Sequence, residues 1–232
     1  MNQMNIQAVR VLLVLTGIVV VLGLAIIAVP IYFRPELWRQ SHSSLTLYFA
    51  AIGVGFMLME IGQLQRLSIF LGHPVYGITV VLFSLLVASS VGSACAGRFQ
   101  KALWLSIPVF ASLIYATPTV VAASVALSTV NRITISTLLL LPFGFFMGMF
   151  LPIGLQTAQR HAGQSMAAWY WAVNGAFSVT ASVVAVLITI FNGITATLYV
   201  ALLAYSAAIV LINLRRGYKD RGYESAERLP IP

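Results

Sequence analysis

Charge is what this sequence has least of. Only 8% of its 232 residues are Asp, Glu, Lys or Arg, against about 25% in a soluble domain. Five acids and thirteen bases cannot keep the surface of a soluble fold of this size wet. A chain that is 60% hydrophobic is instead solvated mostly by lipid. A single cysteine excludes an internal disulfide and a thiolate metal cage. Histidine is nearly as scarce, and His42, His73 and His161 all fall between apolar runs. No paired intramembrane imidazoles are therefore at hand for a haem. Lys101 and Lys219 also lie in connectors, which excludes a retinal-type Schiff base. The single Asp, Asp220, leaves no acidic dyad for general acid–base work or a metal cluster. Phosphate loops of the GxxxxGK[ST] or GxGxxG type are missing, and no serine has a histidine and a carboxylate at hand. Neither an enzymatic centre nor a cofactor or metal site is expected.

What the chain does contain is seven apolar runs, each long enough to cross about 30 Å of hydrocarbon at about 1.5 Å per residue. They cover residues 11–33, 45–71, 75–97, 103–127, 133–155, 167–190 and 194–212. Backbone amides in lipid must be satisfied within each segment, so these are helices. The expected fold is an all-α, polytopic transmembrane bundle of seven helices. Pro108 and Pro118 interrupt the fourth run, and the stretch from Ala116 to Thr119 reads either as a kink or as a break into two shorter helices. The first run, 23 residues long (11–33) with no small-residue cleavage site behind it, reads as an uncleaved anchor rather than a signal peptide. Trp169, Tyr170 and Trp171 read as an aromatic belt at the membrane interface.

Orientation follows from the basic residues. With seven crossings, Arg10, Arg66 and Arg132 share one side, and the other ten of the thirteen bases share the opposite side. Those ten are Arg34, Arg39, Arg98, Lys101, Arg160, Arg215, Arg216, Lys219, Arg221 and Arg228. The C-terminus is expected in the cytoplasm and the N-terminus outside. The charged segment 214–232 is a stop-transfer tail able to touch anionic headgroups. Its charge, like the net +8 of the chain, follows from topology and points to no nucleic acid.

Glu60 resists a purely structural account. Apolar residues flank it on both sides, and in a helix over 48–71 it sits near mid-bilayer, where an acid costs about 3 kcal/mol on insertion scales. It must face the bundle or a wet cavity. Gln63 lies one turn on and Arg66 a further turn. Glu60 and Arg66 are about 120° apart around the helix, so the expected arrangement is a polar ladder, Glu60 to Gln63 to Arg66. That ladder is either a buried pin for helix packing or a gate lined by a coupled carboxylate. Asn174, beside Gly175, is the other polar group well inside a helix. His73 stands at a turn between Gly72 and Pro74 and is a candidate pH-sensing group. Gly144 and Gly148, Gly53, Gly55 and Gly62, and the cluster Ser89, Ser90, Gly92, Ser93 and Ala94 are small-residue contacts expected to let helices approach.

These residues resemble the membrane region of bacterial spermidine-synthase-like fusion proteins. The resemblance covers about residues 48–212. It runs through Gly53, Gly55 and Glu60, then Gln65 and Arg66, then Leu71 to Pro74, Gly92 and Ser93, Gly97 and Arg98, Met147 to Gly154, and Trp171 to Ser178. That family joins a bundle similar to half of a major facilitator to a soluble aminopropyltransferase domain, which is missing from these 232 residues. Aminopropyl transfer is therefore not carried over. The resemblance implies a six-helix unit over 45–213, preceded by a helix and connector over 1–44 and followed by the basic tail over 214–232. Its motif positions here are Glu60, Gln65, Arg66, His73, Arg98 and Asn174. It also implies a bacterial inner membrane. One six-helix unit lacks the counterpart that alternating access needs. The expectation is a membrane module that moves or gates a small molecule with a second copy or a partner subunit. The rival expectation is an accessory subunit that anchors a separately encoded enzyme or a larger complex.

Overall fold

The computed structural model describes residues 3–36, 41–162 and 166–227, with backbone alone for 3–6, 8–9, 161–162 and 215–227. The described residues form helices and no strands. α1 is Gln3–Phe33, α2 Ser43–Leu71, α3 Pro74–Cys95, α4 Ser106–Ser124, α5 Thr129–Ala162, α6 Ala167–Asn192 and α7 Ile194–Glu227, with a 3-10 turn, Gln100–Leu105, leading into α4. Seven helical segments are long and apolar enough to cross a membrane, as the apolar runs predicted.

α2 is the central helix. It packs on α3, α5, α6 and α7, and α3 packs most extensively on α5. α4 lies outside, against α5 and α7, and α1 rests on α6. Helices this apolar pack chiefly through small residues that bring backbones together. A Cβ on Gly92 would collide with the Phe145 carbonyl, and one on Gly148 with the Ser89 carbonyl. One on Gly144 would meet the Ala88 side chain at 2.6 Å. The α3–α5 crossing is thus built from the glycines and serines that the sequence marked for close approach. Across α2 and α6, Gly53 brings α2 to within 2.5 Å of the Asn174 carbonyl, measured from an added Cβ.

Turn chemistry fixes two of the corners. α2 ends on Gly72, whose φ of 76° lets its N–H reach the Ser68 carbonyl, a left-handed cap that glycine tolerates without a Cβ penalty. His73 then caps α3, its side chain accepting from Val75 N at 3.4 Å, with Pro74 in the first helical position, where its missing N–H costs nothing.

The structure closes one alternative left open above and revises one expectation. The fourth run is one span. Pro108 falls in the first turn of α4, where its amide would have no intrahelical partner anyway, and Pro118 sits within a continuous helix that ends at Ser124. α7 continues as helix beyond the apolar span, to Glu227, so the basic segment from 214 begins as helix. The aromatic belt is revised: Trp169 and Tyr170 are buried. Tyr170 stacks on Phe49 at 5.0 Å and its hydroxyl accepts from His42 N. Trp171 alone is exposed, as an interfacial ring would be. Arg39 and Arg228, counted in the charge bias, lie outside the described residues.

Candidate functional site

The residues singled out in α2 divide between two places. Arg66 turns outward from its helix. Its guanidinium donates to the Ile114 carbonyl of α4 at 3.2 Å and to the Thr195 hydroxyl of α7 at 2.9 Å. Gln65 faces α6, its Oε1 accepting from the Thr189 hydroxyl at 2.8 Å. Thr189 is in turn 2.9 Å from the buried Thr197 hydroxyl. This cluster ties α2, α4, α6 and α7 together near the C-terminal end of α2. Close by, Arg132 of α5 donates to the Phe70 carbonyl at 3.1 Å and so satisfies one of the last carbonyls of α2. A cation there also complements the negative end of the helix dipole.

The expected ladder does not form. Gln63 is buried, and its Nε2 has no hydrogen-bond partner, so it donates nothing to Glu60, while the Arg66 guanidinium is engaged with Ile114 and Thr195. The reason is three-dimensional. Residues three and six positions from Glu60 point to different neighbours, and the neighbours supply better partners for Arg66 than its own helix does. Glu60 is half-buried and lies within electrostatic reach of the buried Tyr205 of α7.

The second place is a cleft of about 710 Å³ between α2, α3, α5, α6 and α7. Ile52, Phe56 and Met57 of α2 line one wall, Ser89, Ser90, Ser93 and Ala94 of α3 another, and Met147, Gly148 and Pro152 belong to the α5 wall. Asn174 and Ser178 of α6 and Tyr205 of α7 complete it. It occupies the half of the bundle towards the N-terminus of α2 and the C-terminus of α3. Ser90, Ser93 and Ala94 are exposed at its rim, and α3 and α6 do not pack extensively on one another, so the cleft is open on that side. The size suits a single small molecule. Ile52, Phe56 and Glu60 follow one another at four-residue spacing on a single stripe of α2, which places Glu60 one turn beyond the cleft wall.

Three of the polar side chains that line the cleft, Asn174, Ser89 and Ser90, already donate within the bundle. Asn174 Nδ2 donates to the Phe49 carbonyl at 3.1 Å, leaving Oδ1 as its remaining acceptor. Ser89 and Ser90 both donate to the Leu86 carbonyl, at 3.1 and 2.8 Å, and keep their lone pairs. Pro152 has no N–H, so the Gly148 carbonyl lacks its i+4 donor, and both residues line the cleft.

Of the seven residues marked in the sequence, only Asn174 lines this cleft and only Glu60 borders it. Gln65 and Arg66 join the polar cluster at the other end of α2. Gln63 is buried without a partner for its Nε2, His73 is a helix cap, and Arg98 is exposed beyond α3. Sequence reasoning took Ser89, Ser90 and Ser93 for packing residues and passed over Ser178 and Tyr205. The signal available was Pro152 within an apolar run, since a proline inside a membrane helix frees a carbonyl that something polar must face. No family model matches the chain, and no curated protein or solved structure matches it either.

Proposed function

We propose that the chain is a non-enzymatic membrane module that moves or gates a small molecule through the cleft between α2, α3, α5, α6 and α7. The observation that carries this reading is the placement of Glu60. A half-buried acid near mid-helix stands one turn beyond the wall of a cleft large enough for a ligand. Intramembrane acids are expensive and mark substrate or ion routes. In this reading α2 to α7 form the six-helix unit, similar to half of a major facilitator and to the membrane region of spermidine-synthase-like fusions, and α1 is an addition resting on α6. A second copy or a partner subunit supplies the other half, in a bacterial inner membrane with the C-terminus in the cytoplasm.

The test is water access at the acid. In a Cys95→Ala background, Glu60→Cys reacts with a small water-soluble methanethiosulfonate at least about tenfold faster than Leu86→Cys, because Leu86 is 62% exposed on the outer surface of the bundle. Equal rates at the two positions would remove the route. A lone monomer in mild detergent, measured by mass, would count against the paired assembly.

A further inference from the structure

We infer that the seam between α2 and α5 carries a file of water from the Leu71 end of α2 down to Glu60, bridging Arg132, Ser136 and Gln63. The inference rests on the proposed function only at its inner end, where Glu60 is the working acid. It adds a second access to that acid, from the end of the bundle opposite the cleft.

Four buried side-chain atoms among the described residues have no hydrogen-bond partner, and three of them, Gln63 Nε2, Ser136 Oγ and Arg132 Nε, belong to α2 and α5. Gln63 is 1% exposed and Ser136 0%, so bulk solvent does not serve them. Helical spacing puts all three in one seam. Arg132, Ser136, Phe143, Phe150 and Gly154 recur every four or seven residues on one face of α5. That face meets α2: Tyr48 donates to the Phe150 carbonyl at 2.6 Å, Arg132 donates to the Phe70 carbonyl, and a Cβ on Gly154 would strike the Tyr48 ring. On α2 the matching face holds Tyr48, Ile52, Met59, Gln63 and Phe70, all buried. The two helices run antiparallel between these ties. Gln63 lies fifteen residues beyond Tyr48 and Ser136 fourteen before Phe150, about 22 and 21 Å at about 1.5 Å per residue. The two side chains therefore stand at one level, without bonding each other. Arg132 is one turn outward of Ser136, and Glu60 one turn inward of Gln63.

Each of these bare polar atoms carries a desolvation cost that a bridging water removes, and a water in such a place needs two or more polar partners. Gln63 Nε2 and Ser136 Oγ supply them for one molecule. Ser136 Oγ and Arg132 Nε, on adjacent turns of α5, supply them for the next. The same groups exclude other occupants. Gln63 Nε2 and Arg132 Nε can only donate, so they hold a lone pair and coordinate no metal cation. The Arg132 charge at the mouth repels cations as well. An anion is opposed at the inner end by the Glu60 carboxylate. What remains is a neutral molecule that both donates and accepts. Met59, Leu67 and Leu140, fully buried on the neighbouring turns, offer no partner for the further polar groups of a larger solute.

The experiment uses the full chain in nanodiscs and has two readouts. A density map at about 2 Å resolution is expected to show an ordered water within hydrogen-bond distance of both Gln63 Nε2 and Ser136 Oγ. Magnetisation transfer from water to the isotope-labelled Gln63 carboxamide, assigned by its loss in Gln63→Leu, measures the same access by NMR. Ser136→Val puts methyls in place of the hydroxyl and is expected to slow that transfer at least about threefold, the scale of one net hydrogen bond. Leu138→Val, on the exposed side of the same helix, is expected to leave it unchanged. A direct Gln63–Ser136 hydrogen bond in the map, a side chain filling the place of the water, or a transfer rate that Ser136→Val does not alter would each overturn the file. A methanethiosulfonate is too bulky for a single file of water, so labelling of Glu60→Cys reports the cleft alone. Its failure with the seam water present would remove the proposed function and leave the water site standing, so the two failures are told apart.

Discussion

Arg66 answers Pro118. A proline has no amide hydrogen, so Pro118 leaves the Ile114 carbonyl of α4 without its intrahelical donor, and the Arg66 guanidinium of α2 donates to that carbonyl at 3.2 Å. The same guanidinium reaches Thr195 at the start of α7. An arginine inside a span is costly unless it is satisfied, and a free carbonyl facing lipid is costly too. Each residue offsets the expense of the other, which accounts for an unbroken α4 and for a charged residue on the central helix.

This pairing makes a quantitative prediction. Arg66→Met in the native background is expected to lower stability by about 2 kcal/mol, the scale of a hydrogen bond to a charged group. Pro118→Ala gives Ile114 a main-chain donor, so the same Arg66→Met change in that background is expected to cost at least about 1 kcal/mol less. Reversible unfolding in mixed micelles measures the four proteins of the cycle. Additive effects would mean that Arg66 stabilises the bundle only through Thr195.

Helix approach is predicted to be equally specific. Gly92→Ala and Gly148→Ala each place a methyl against a backbone carbonyl of the partner helix, and backbone cannot swing aside as a side chain does. Losses of about 1–3 kcal/mol are expected, in the range of overpacking. Gly97→Ala and Gly175→Ala meet open space and should fall within about 0.5 kcal/mol of the native protein. The same unfolding measurement checks all four, and a penalty at Gly175 comparable to that at Gly92 would contradict the crossing described above.

Spans and crossings were readable from the chain because each is a one-dimensional signal. An apolar run of about 20 residues is a length, and Gly144 with Gly148 is a spacing. The polar site was not readable in the same way. Reasoning along a single helix pairs Glu60 with Gln63 and Gln63 with Arg66, since residues three and four apart are neighbours on its surface. The partners that Arg66 finds, Ile114 and Thr195, are 48 and 129 positions away. Asn174 reaches Phe49 across 125 positions. Tyr170 illustrates the same gap: its composition and position suit an interfacial belt, and only the approach of α2 reveals that it is core. Pro118 was visible as an irregularity, and what resolves it belongs to another helix.

Topology gives a further prediction. His73 and Arg98 flank α3, which at 22 residues is about 33 Å long, and both are exposed. In inverted and right-side-out vesicles, with Cys95 replaced by Ala, a membrane-impermeant maleimide is expected to reach His73→Cys only from the external face. Arg98→Cys is expected to react only from the face that carries the C-terminus. Labelling of both from one face would show that α3 does not cross, and the seven-span arrangement would go with it.

Glu60 separates a pin from a working group most sharply. Were it a structural pin, a neutral hydrocarbon of similar length would cost stability, because hydrogen bonds holding neighbouring helices would be lost. No hydrogen bond of Glu60 stands among the described residues: Gln63 Nε2 is unpartnered, and Arg66 is engaged with α4 and α7. An intramembrane carboxyl costs on the order of 3 kcal/mol, and that expense goes unrecovered in packing. Glu60→Leu is therefore expected to leave unfolding stability unchanged or to raise it by up to about 3 kcal/mol, as measured in mixed micelles. A residue whose removal strengthens the fold is held there for another purpose, as working groups characteristically are. A drop of more than about 1 kcal/mol would assign Glu60 to packing and leave the cleft without its acid.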